Sequence, residues 1–468
     1  MVKISEEKRS YPRTKTNLKL NISKNIYGDS IDLSESGLSF SCTETISSPT
    51  ISLEIRFPDI RPEFATKAKL IWKRDLEGGT SLYGVQLVNL NESQKITLRK
   101  ELIKAQIDGL LSGIKNHEIK KEISRFFLKD MLEYINEINR FSSRLSKEDQ
   151  YSEELQKKLE LLNTKFLLKG YCLEELLSDK INIQRVKDNF RQLVGAWVYK
   201  SAFMKRAFEK PEGYAGDYKI LEIIYDNKPI SKKIGLYFDN YFLKSPYAVA
   251  VRTRKDRLRE LLQNYINETE LNRINILNID CGSCREIREL LSSLKTRSFI
   301  TFACLDRDEG ALRFSQDMLY GKTPKNVEFK FAKEDIMNLI KNEDSLQLYG
   351  KQNLIYSLGL IDYLPDELLK KLIRVLYQLL REGGEIILTH KNKDKTFPPI
   401  IPDWLCDWKF VPRNKEEVVK LFYNCGLSKF LLSMESDDFS YIYFFTITKR
   451  QNGRGQITSD ARISHKSL

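Results

Sequence analysis

Two arginines, two small polar residues and a glycine near the start of the chain have the chemistry of a nucleotide site. Arg9 and Arg13 lie four residues apart ahead of the first predicted strand, and Asp32, Ser34 and Gly37 follow. Arginine offers a planar fork that can grip a phosphate or the O6/N7 edge of guanine, and it can also stack on the base. Asp32 can accept from the N1/N2 donors of guanine, while Gly37 permits close approach or a positive φ. These residue types favour a guanine dinucleotide as the ligand.

A second group of polar residues lies in the C-terminal half, where predicted strands end. Asp306 ends one apolar run, and Glu334 and Asp335 end the next. Ligands of open α/β sheets bind beyond the carboxyl ends of the strands, and an acid after the second strand can accept both hydroxyls of a ribose. The pattern predicts a nucleoside site, with a helix N-cap as the alternative for Glu334 and Asp335.

The spacing of apolar residues changes twice along the chain and so divides it into three regions that position these residues. Apolar residues alternate from about residue 17 to 90, recur at helical spacing to about residue 265, and then fall into alternating strands and helices. We therefore expect a multidomain α+β protein with an antiparallel β-barrel, a central helical region and a doubly wound, Rossmann-like α/β domain. The predicted boundaries are a β-barrel over 1–95, a helical linker and substrate cap over 96–270, an α/β domain over 271–450 and a flexible basic tail over 451–468.

Composition narrows the class of protein. The 468 residues are 41% hydrophobic and 30% charged, with no apolar run long enough to cross a bilayer and no secretory signal, so we expect a soluble, cytoplasmic protein. The net charge of +13 indicates an anionic partner, but the basic residues are spread, which makes nucleic acid an unfavoured partner. Cys281 and Cys284 form a C-x-x-C pair, a spacing that is found in redox sites and in one half of some metal sites. With no second such pair and only three histidines, we expect no metal.

The N-terminal motif pair resembles the PilZ family of bacterial signalling domains. That family carries R-x-x-x-R upstream of [D/N]-x-S-x-x-G on a small β-barrel, and both halves are present here, followed by Trp72 and by Tyr-Gly-Val-Gln-Leu at 83–87. The resemblance implies that cyclic di-GMP is the ligand and that Arg9, Arg13, Asp32, Ser34 and Gly37 bind it. Exposed arginines beside an Asx turn are the alternative.

The C-terminal domain resembles class I S-adenosylmethionine (SAM) dependent methyltransferases. Their first loop reads [D/E]-x-G-x-G-x-[G/A]; here Gly282 is the middle glycine, while Asn278, Asp280 and Cys284 stand at the other positions. A dehydrogenase would need G-x-G-x-x-G, which is absent. The resemblance implies that SAM is held by residues of the loop and of the strand ends: Asn278, Asp280, Gly282, Asp306, Glu334, Asp335, Ser357 and Gly359.

Residues 190–450 are also similar to bacterial 3-hydroxypalmitic acid methyl ester (extracellular factor) synthases, through the stretches 209–218, 241–246 and 357–364. This resemblance implies methyl transfer to the carboxylate of a 3-hydroxy fatty acid or a similar small acid. A carboxylate is already a nucleophile, so positioning and exclusion of water carry the catalysis. The candidates for the substrate side are Tyr214, Asp217, Tyr218, Asp362 and Tyr363. For 213–218 a structural turn is the alternative, and His390 is either a base for another nucleophile or a structural residue.

Together these patterns predict a methyltransferase that responds to cyclic di-GMP, with the signal passing through the helical region rather than by direct contact with the active site. The alternative is a non-catalytic cyclic di-GMP receptor that uses a degenerate methyltransferase domain as an interaction scaffold.

Overall fold

The computed structural model describes residues 13–23, 25–145, 150–341, 349–396, 399–427 and 430–450. Arg9 and the tail 451–468 lie outside the described residues. The chain divides into two compact units. The first contains the described residues among 1–215, 227–245 and 398–408, and the second contains those among 216–226, 246–397 and 409–468.

The strands, in chain order, are β1 (Thr14–Lys15), β2 (Lys19–Ile22), β3 (Ile26–Ser34), β4 (Gly37–Cys42), β5 (Thr50–Ile55), β6 (Phe64–Asp75), β7 (Ser81–Val88), β8 (Arg273–Ile279), β9 (Phe299–Asp306), β10 (Val327–Lys333), β11 (Gln352–Ser357), β12 (Leu380–Lys391), β13 (Phe430–Ser436) and β14 (Ile442–Lys449).

The helices are α1 (Glu92–Ser112), α2 (His117–Arg125), α3 (Leu132–Leu145), α4 (Glu153–Leu177), α5 (Lys180–Val198), α6 (Ala202–Glu209), α7 (Tyr218–Asp226), α8 (Ile234–Leu243), α9 (Pro246–Glu268), α10 (Arg285–Leu291), α11 (Glu309–Leu319), α12 (Ile336–Lys341), α13 (Asp366–Leu379), α14 (Lys393–Thr396) and α15 (Lys415–Tyr423). Two π-helical turns lie at Phe126–Met131 and Ile400–Leu405, and a 3₁₀ turn lies at Leu360–Asp362.

The first unit begins with a closed antiparallel barrel. The strand order is β1-β3-β2-β5-β6-β7-β4, and a further pairing of β3 with β4 closes the sheet. In β2, β5 and the first part of β6 buried residues alternate with more exposed ones, as the period-two pattern predicts, whereas nearly all of β4 is buried. Leu98 and Leu102 of α1 pack into the same core as the barrel strands. Helix α1 therefore covers the barrel.

Helices α4 and α5 of the same unit hold a segment that comes from much later in the chain. Trp404 is 1% exposed, and a Cβ added at Gly170 of α4 would lie 2.6 Å from its ring. Lys187 of α5 forms an ion pair with Asp403 at 2.6 Å. We call residues 399–408 the Trp404 segment. A glycine in α4 is required here because the indole lies directly against the helix backbone.

The second unit is an open α/β sheet. Its strand order is β10-β9-β8-β11-β12-β14-β13; the pairs from β10 to β12 are parallel, and β14 is antiparallel to both β12 and β13. The strand order reverses between β8 and β11, which makes their carboxyl ends the topological switch point where such sheets bind ligands.

The structure confirms the predicted fold class: an antiparallel barrel, helices, and a doubly wound sheet. The sheet also ends in two antiparallel strands, β14 and β13, and β13 was not predicted. Within the described ranges, no helix combines the length and apolar character that a membrane span requires.

Candidate functional site

The structure brings together two of the residues predicted to bind the nucleotide. Arg13 Nη1 donates to Asp32 Oδ1, and both side chains remain more than a quarter exposed. The backbone N–H of Ser39 also donates to Asp32 Oδ1, at 3.2 Å. Asp32 thus fixes the guanidinium at the barrel surface, where it stays open to an anion.

Ser34 and Gly37 shape the turn between β3 and β4. Ser34 Oγ donates to the Gly37 carbonyl at 2.9 Å, and the two residues pair across the hairpin. A Cβ at Gly37 would lie 2.2 Å from the Val85 carbonyl oxygen. Gly37 is therefore required for close approach of the turn to β7, which is one of the two roles expected of it.

An exposed indole lies in the same row of the barrel. Asp32, Ser39, Gly84 and Trp72 are successive partners across β3, β4, β7 and β6. A Cβ at Gly84 would lie 2.0 Å from Trp72 Nε1, so glycine lets the ring lie flat over β7, and Trp72 is 37% exposed. The row offers a flat aromatic surface over Gly84, two strands from Asp32. Trp72 was not predicted to bind the nucleotide. The sequence feature that could have indicated it is an aromatic residue on one strand opposite a glycine on the next.

The turn that carries the motif is tied to α1. Arg99 donates to both carboxylate oxygens of Glu35, and its Nη1 donates to Asn136 Oδ1 of α3 at 2.6 Å. Glu35 and Arg99 are 8% and 5% exposed. A small cavity of about 30 Å³ lies beside the pair, lined also by Thr14 of β1 and Trp197 of α5.

In the second unit, the loop after β8 keeps the backbone of a glycine-rich loop although most of its glycines are replaced. Asp280, Gly282 and Cys284 have φ of +58°, +54° and +49°. Left-handed backbone is costly for residues with a Cβ, although aspartate tolerates it better than most, and such strain clusters at ligand sites. The alternating left-handed residues occupy the three small-residue positions of the motif.

Asp306, at the end of β9, is fastened to this loop. Its Oδ2 accepts from the Gly282 N–H at 2.7 Å, and its Oδ1 accepts from the Asp308 N–H at 2.8 Å. Burial and the nearby negative charge of Asp280 raise the pKa of Asp306 to about 7. Asp308 Oδ2 is buried and has no hydrogen-bond partner among the described residues. An oriented carboxylate beside a second, unpartnered carboxylate oxygen suits a pair of ribose hydroxyls.

Asp280 itself is exposed in the cleft at the strand ends. Desolvation by the surrounding protein raises its pKa, Arg307 and Arg254 oppose the rise, and Asp335 adds to it. When ionised, Asp280 therefore places a negative charge at the loop next to the ends of the parallel strands.

Asn278 is buried beneath the loop rather than facing the cleft. Its Nδ2 donates to Glu286 Oε1 at 3.0 Å, and the Tyr356 hydroxyl donates to the same oxygen at 2.8 Å. Burial, together with the neighbouring Cys284 thiol, raises the pKa of Glu286 to about 8. These three residues form a buried network that supports the loop.

The predicted residues at the ends of β10 and β11 have specific contacts. Asp335 Oδ1 accepts from the Met337 N–H at 2.7 Å, so this side chain caps the start of α12, in agreement with the helix N-cap given above as the alternative. Glu334 Oε2 accepts from the Tyr349 hydroxyl at 3.4 Å. Ser357 Oγ donates to the Ile279 carbonyl at 2.7 Å, and Gly359 has φ +89°. Ser357 therefore joins β11 to the end of β8 at the switch point.

Asp362 lies at the centre of a buried polar cluster. It is fully buried and accepts from Lys391 Nζ at 2.5 Å, while His390 Nδ1 lies 2.9 Å from its other oxygen. Although burial alone would raise it, Lys391, His390 and Arg254 hold the pKa of Asp362 well below its ordinary value. Asp362, a candidate for the substrate side, therefore lies inside a buried cluster, and His390, 1% exposed, lies in the same cluster.

Tyr363 is the more open of the two predicted residues at this exit. It is 42% exposed and its ring lies 5.5 Å from that of Phe410, which in turn lies 4.3 Å from Lys391 Nζ and 5.8 Å from the Tyr247 ring. The exit of β11 is therefore lined by aromatic rings.

The remaining substrate-side candidates fall into different units. Tyr214 belongs to the first unit, while Asp217 and Tyr218 belong to the second. Asp217 is buried and its Oδ1 accepts from the Ile220 N–H at 3.0 Å at the start of α7. The Tyr218 ring packs 5.3 Å from Phe314, and its hydroxyl lies 3.5 Å from where a Cβ at Gly310 would be. Tyr218 thus lies near the Asp306 side of the cleft.

Cys281, Cys284 and Cys304 are free thiols that lie together in the core below the loop. Their mutual interaction raises the pKa of Cys281 and lowers that of Cys284. No described group of three or more His, Cys, Asp or Glu side chains could hold a metal ion.

The barrel with its motif turn and the doubly wound sheet with its carboxylate-lined switch point define a two-unit protein with two nucleotide-type sites. The family model "PilZ domain" matches residues 7–104, and the family model "Putative methyltransferase" matches residues 212–439. The chain therefore carries a PilZ domain and a methyltransferase domain, as two of the resemblances predicted. The resemblance to 3-hydroxypalmitic acid methyl ester synthases stays a prediction.

Several solved structures are similar to parts of the chain. A possible exported protein from Bordetella parapertussis is 16% identical, with a TM-score of 0.39, over 68% of this chain and 96% of that one. The magnesium protoporphyrin IX methyltransferase from Synechocystis, with bound SAM, is 15% identical, with a TM-score of 0.30, over 43% and 83%. The inhibitor of motility from Bacillus subtilis is 19% identical, with a TM-score of 0.20, over 22% and 52%. No curated protein matches the chain.

Proposed function

We propose that the protein is a SAM-dependent methyltransferase whose activity responds to cyclic di-GMP. The observation that carries the proposal is the loop after β8: it keeps left-handed backbone at all three small-residue positions and is bonded through Gly282 to Asp306. This loop and the methyltransferase family match favour a working SAM site over a degenerate one.

The residues at the strand ends fit SAM. Asp306 and the unpartnered Oδ2 of Asp308 suit the ribose hydroxyls, and exposed Asp280 suits the cationic methionine end. When bound, SAM supplies a methyl group whose bond to sulfur is replaced by a bond to the acceptor oxygen, leaving S-adenosylhomocysteine (SAH) and a methyl ester.

We propose a small carboxylic acid, such as a 3-hydroxy fatty acid, as the acceptor. The partly exposed rings of Tyr363 and Phe410, which pack on buried Tyr247 at the exit of β11, suit an apolar chain. An ionised carboxylate needs no base, and the buried position of His390 agrees with a reaction that does not require one. The chain's own contribution is to hold the acceptor and exclude water.

We propose that cyclic di-GMP binds Arg13, Asp32 and the flat ring of Trp72, together with Arg9, Ser34 and Gly37. The exposed guanidinium suits phosphate or guanine, and the indole suits stacking on a guanine base. The PilZ family match supports this ligand.

Regulation through the helices is supported by a run of contacts within the first unit. Glu35 of the motif turn pairs with Arg99 of α1; Gln106 of α1 donates to Asn189 of α5 at 3.1 Å; and Lys187 of α5 pairs with Asp403 of the Trp404 segment. Phe410 is the second residue after that segment in the chain, and its ring contacts Lys391. A change at the turn can thus reach residues beside the acceptor site.

The decisive experiment is calorimetric titration of the full chain with SAH and, separately, with cyclic di-GMP. We expect both to bind, with Asp306→Asn weakening only SAH and Arg13→Ala weakening only cyclic di-GMP. Cyclic di-GMP binding without any SAH binding would instead support a receptor that uses its methyltransferase domain as a scaffold.

A further inference from the structure

Arg254 of α9 reaches the switch point of the sheet. Its side chain is 4% exposed, and a Cβ added at Gly359 would lie 2.3 Å from its Nη1. Gly359 follows β11, and the charge of Arg254 also acts on Asp280, which follows β8. A guanidinium therefore lies against the carboxyl ends of the two strands between which ligands of this fold bind.

The bonds that Arg254 makes leave part of its donor capacity unused. Nη1 lies 3.3 Å from Asp362 Oδ2, and Nε is buried without a hydrogen-bond partner in the part of the chain that the structure describes. A buried donor without a partner is costly, and a charged one more so. The guanidinium thus lacks an acceptor that a bound ligand could supply.

The charge around Arg254 also favours an anion. Asp362 is shared between Arg254 and Lys391, so within the buried cluster one carboxylate pairs with two cations, while Asp280 acts on Arg254 from the exposed loop. Burial lowers the pKa of Lys391 to about 8, repulsion from Arg254 adds to the effect and Asp362 opposes it. A ligand carboxylate would restore the balance of charge.

Asp280 supplies the opposite charge across the same site. The methionine end of SAM carries an ammonium, a sulfonium and one carboxylate. Exposed Asp280 suits the cationic groups, and the planar fork of Arg254 suits the carboxylate.

We propose that Arg254 binds the methionine carboxylate of SAM; this inference rests on the proposed function. Arg254 would thus be a SAM-binding residue on α9, the helix before β8, outside the sequence motif of the loop.

The test compares two ligands in the full chain by calorimetry. SAH has the carboxylate, whereas S-adenosyl-3-thiopropylamine has the same adenosine, sulfur and amino group without it. We expect wild type to prefer SAH by about 10- to 100-fold, because hydrogen bonds between charged groups are the strong ones. Arg254→Gln should lose this preference through weaker SAH binding, with binding of the thiopropylamine changed by less than about twofold.

The matched control is Arg257→Gln on the same helix, since Arg257 pairs with Glu435 at 2.8 Å instead of facing the switch point. It should leave both affinities unchanged. Equal binding of the two ligands by wild type, or unchanged SAH binding by Arg254→Gln, would overturn the inference, and so would equal weakening of both ligands. The wild-type comparison decides the matter even where Arg254→Gln does not fold. A wild type that binds neither ligand overturns the proposed function itself.

Discussion

Arg99 donates to both carboxylate oxygens of Glu35, from Nε at 2.6 Å and from Nη2 at 2.5 Å, and both residues are buried. Glu35 stands inside the predicted cyclic di-GMP motif, between Ser34 and Gly37, while Arg99 belongs to the helix that covers the barrel. Any rearrangement of the turn on ligand binding must therefore move or break a buried ion pair. We infer that this pair carries the signal from the turn to the helices.

Replacing both partners tests that role without leaving a buried charge. We expect Glu35→Leu or Arg99→Met alone to destabilise the first unit by about 3–5 kcal/mol, because each leaves one charge unpaired, whereas the double variant should be close to wild type. The double variant should still bind cyclic di-GMP, but the nucleotide should no longer change the affinity for SAH. The measurements are thermal unfolding and calorimetry with and without the nucleotide.

The matched control for this pair is Lys95→Met with Glu92→Leu, an exposed pair on the same helix, which should change neither stability nor coupling appreciably. A double Glu35/Arg99 variant that keeps the full effect of cyclic di-GMP would show that the signal takes another route.

Trp72→Ala should weaken the binding of cyclic di-GMP by about 5- to 150-fold, since stacking of an aromatic side chain on a base contributes ~1–3 kcal/mol. Tyr27→Ala is the control, because Tyr27 is an exposed aromatic residue of the barrel that pairs with Asn21, away from the Asp32 row. Calorimetric titration measures both. Equal affinity in wild type and Trp72→Ala would exclude the indole from the site.

Affinity for SAH should rise as the pH rises through about 7. Asp306 must be ionised to accept both ribose hydroxyls, and its pKa in the free protein is raised to about 7 by burial and by Asp280. Below about pH 7, each decrease of one pH unit should lower the affinity by up to about tenfold, because Asp306 must lose its proton when SAH binds. Above about pH 7 the affinity should become constant. Asp306→Asn should bind weakly and without this dependence. A flat profile for wild type between pH 5.5 and 8.5 would contradict the assignment of Asp306.

The sequence predicted the strand ends and the motif turn because both follow from local patterns. Apolar runs set β8, β9 and β11, so the acids after them had to meet at one edge of the sheet. The conformation of the loop could not be read in the same way. Asp280 and Cys284 replace small residues, and only the structure shows that both keep left-handed backbone.

Residues brought in from other elements were also beyond prediction. Arg254 is one of many basic residues on a charged helix, and nothing in its spacing marks it out. Its burial against Gly359 depends on packing between α9 and a strand end far away in sequence. Asp217 is a further example, because the bond from the Ile220 N–H to its carboxylate at the start of α7 was not predicted from the spacing.

Asp280→Gly separates the backbone of the loop from its charge. Glycine restores the motif and removes the strain of a left-handed aspartate, so we expect a gain in stability of about 1 kcal/mol. Affinity for SAH should nevertheless fall by roughly tenfold, because the carboxylate that faces the cationic groups is lost. Asp280→Asn, which keeps the shape, should show the loss of affinity without the full gain in stability. Tighter SAH binding by Asp280→Gly would mean that the carboxylate obstructs the site.

Glu286→Gln should stabilise the second unit at alkaline pH. The pKa of Glu286 is raised to about 8 by burial and by Cys284, whereas the unfolded chain ionises this group near its ordinary value of 4.5. Because the pKa is raised in the folded protein, the stability that this group contributes is fully present below about pH 4.5. The free energy of unfolding then falls, by at most roughly 1.4 kcal/mol per pH unit, until the pH has risen through about 8. Glutamine keeps the oxygen that accepts from Asn278 and Tyr356 and carries no titratable proton. Thermal unfolding between pH 5 and 9 should therefore show a smaller fall in stability for Glu286→Gln than for wild type, with the two curves diverging toward pH 8. Parallel curves over this range would mean that Glu286 is ionised in the folded protein.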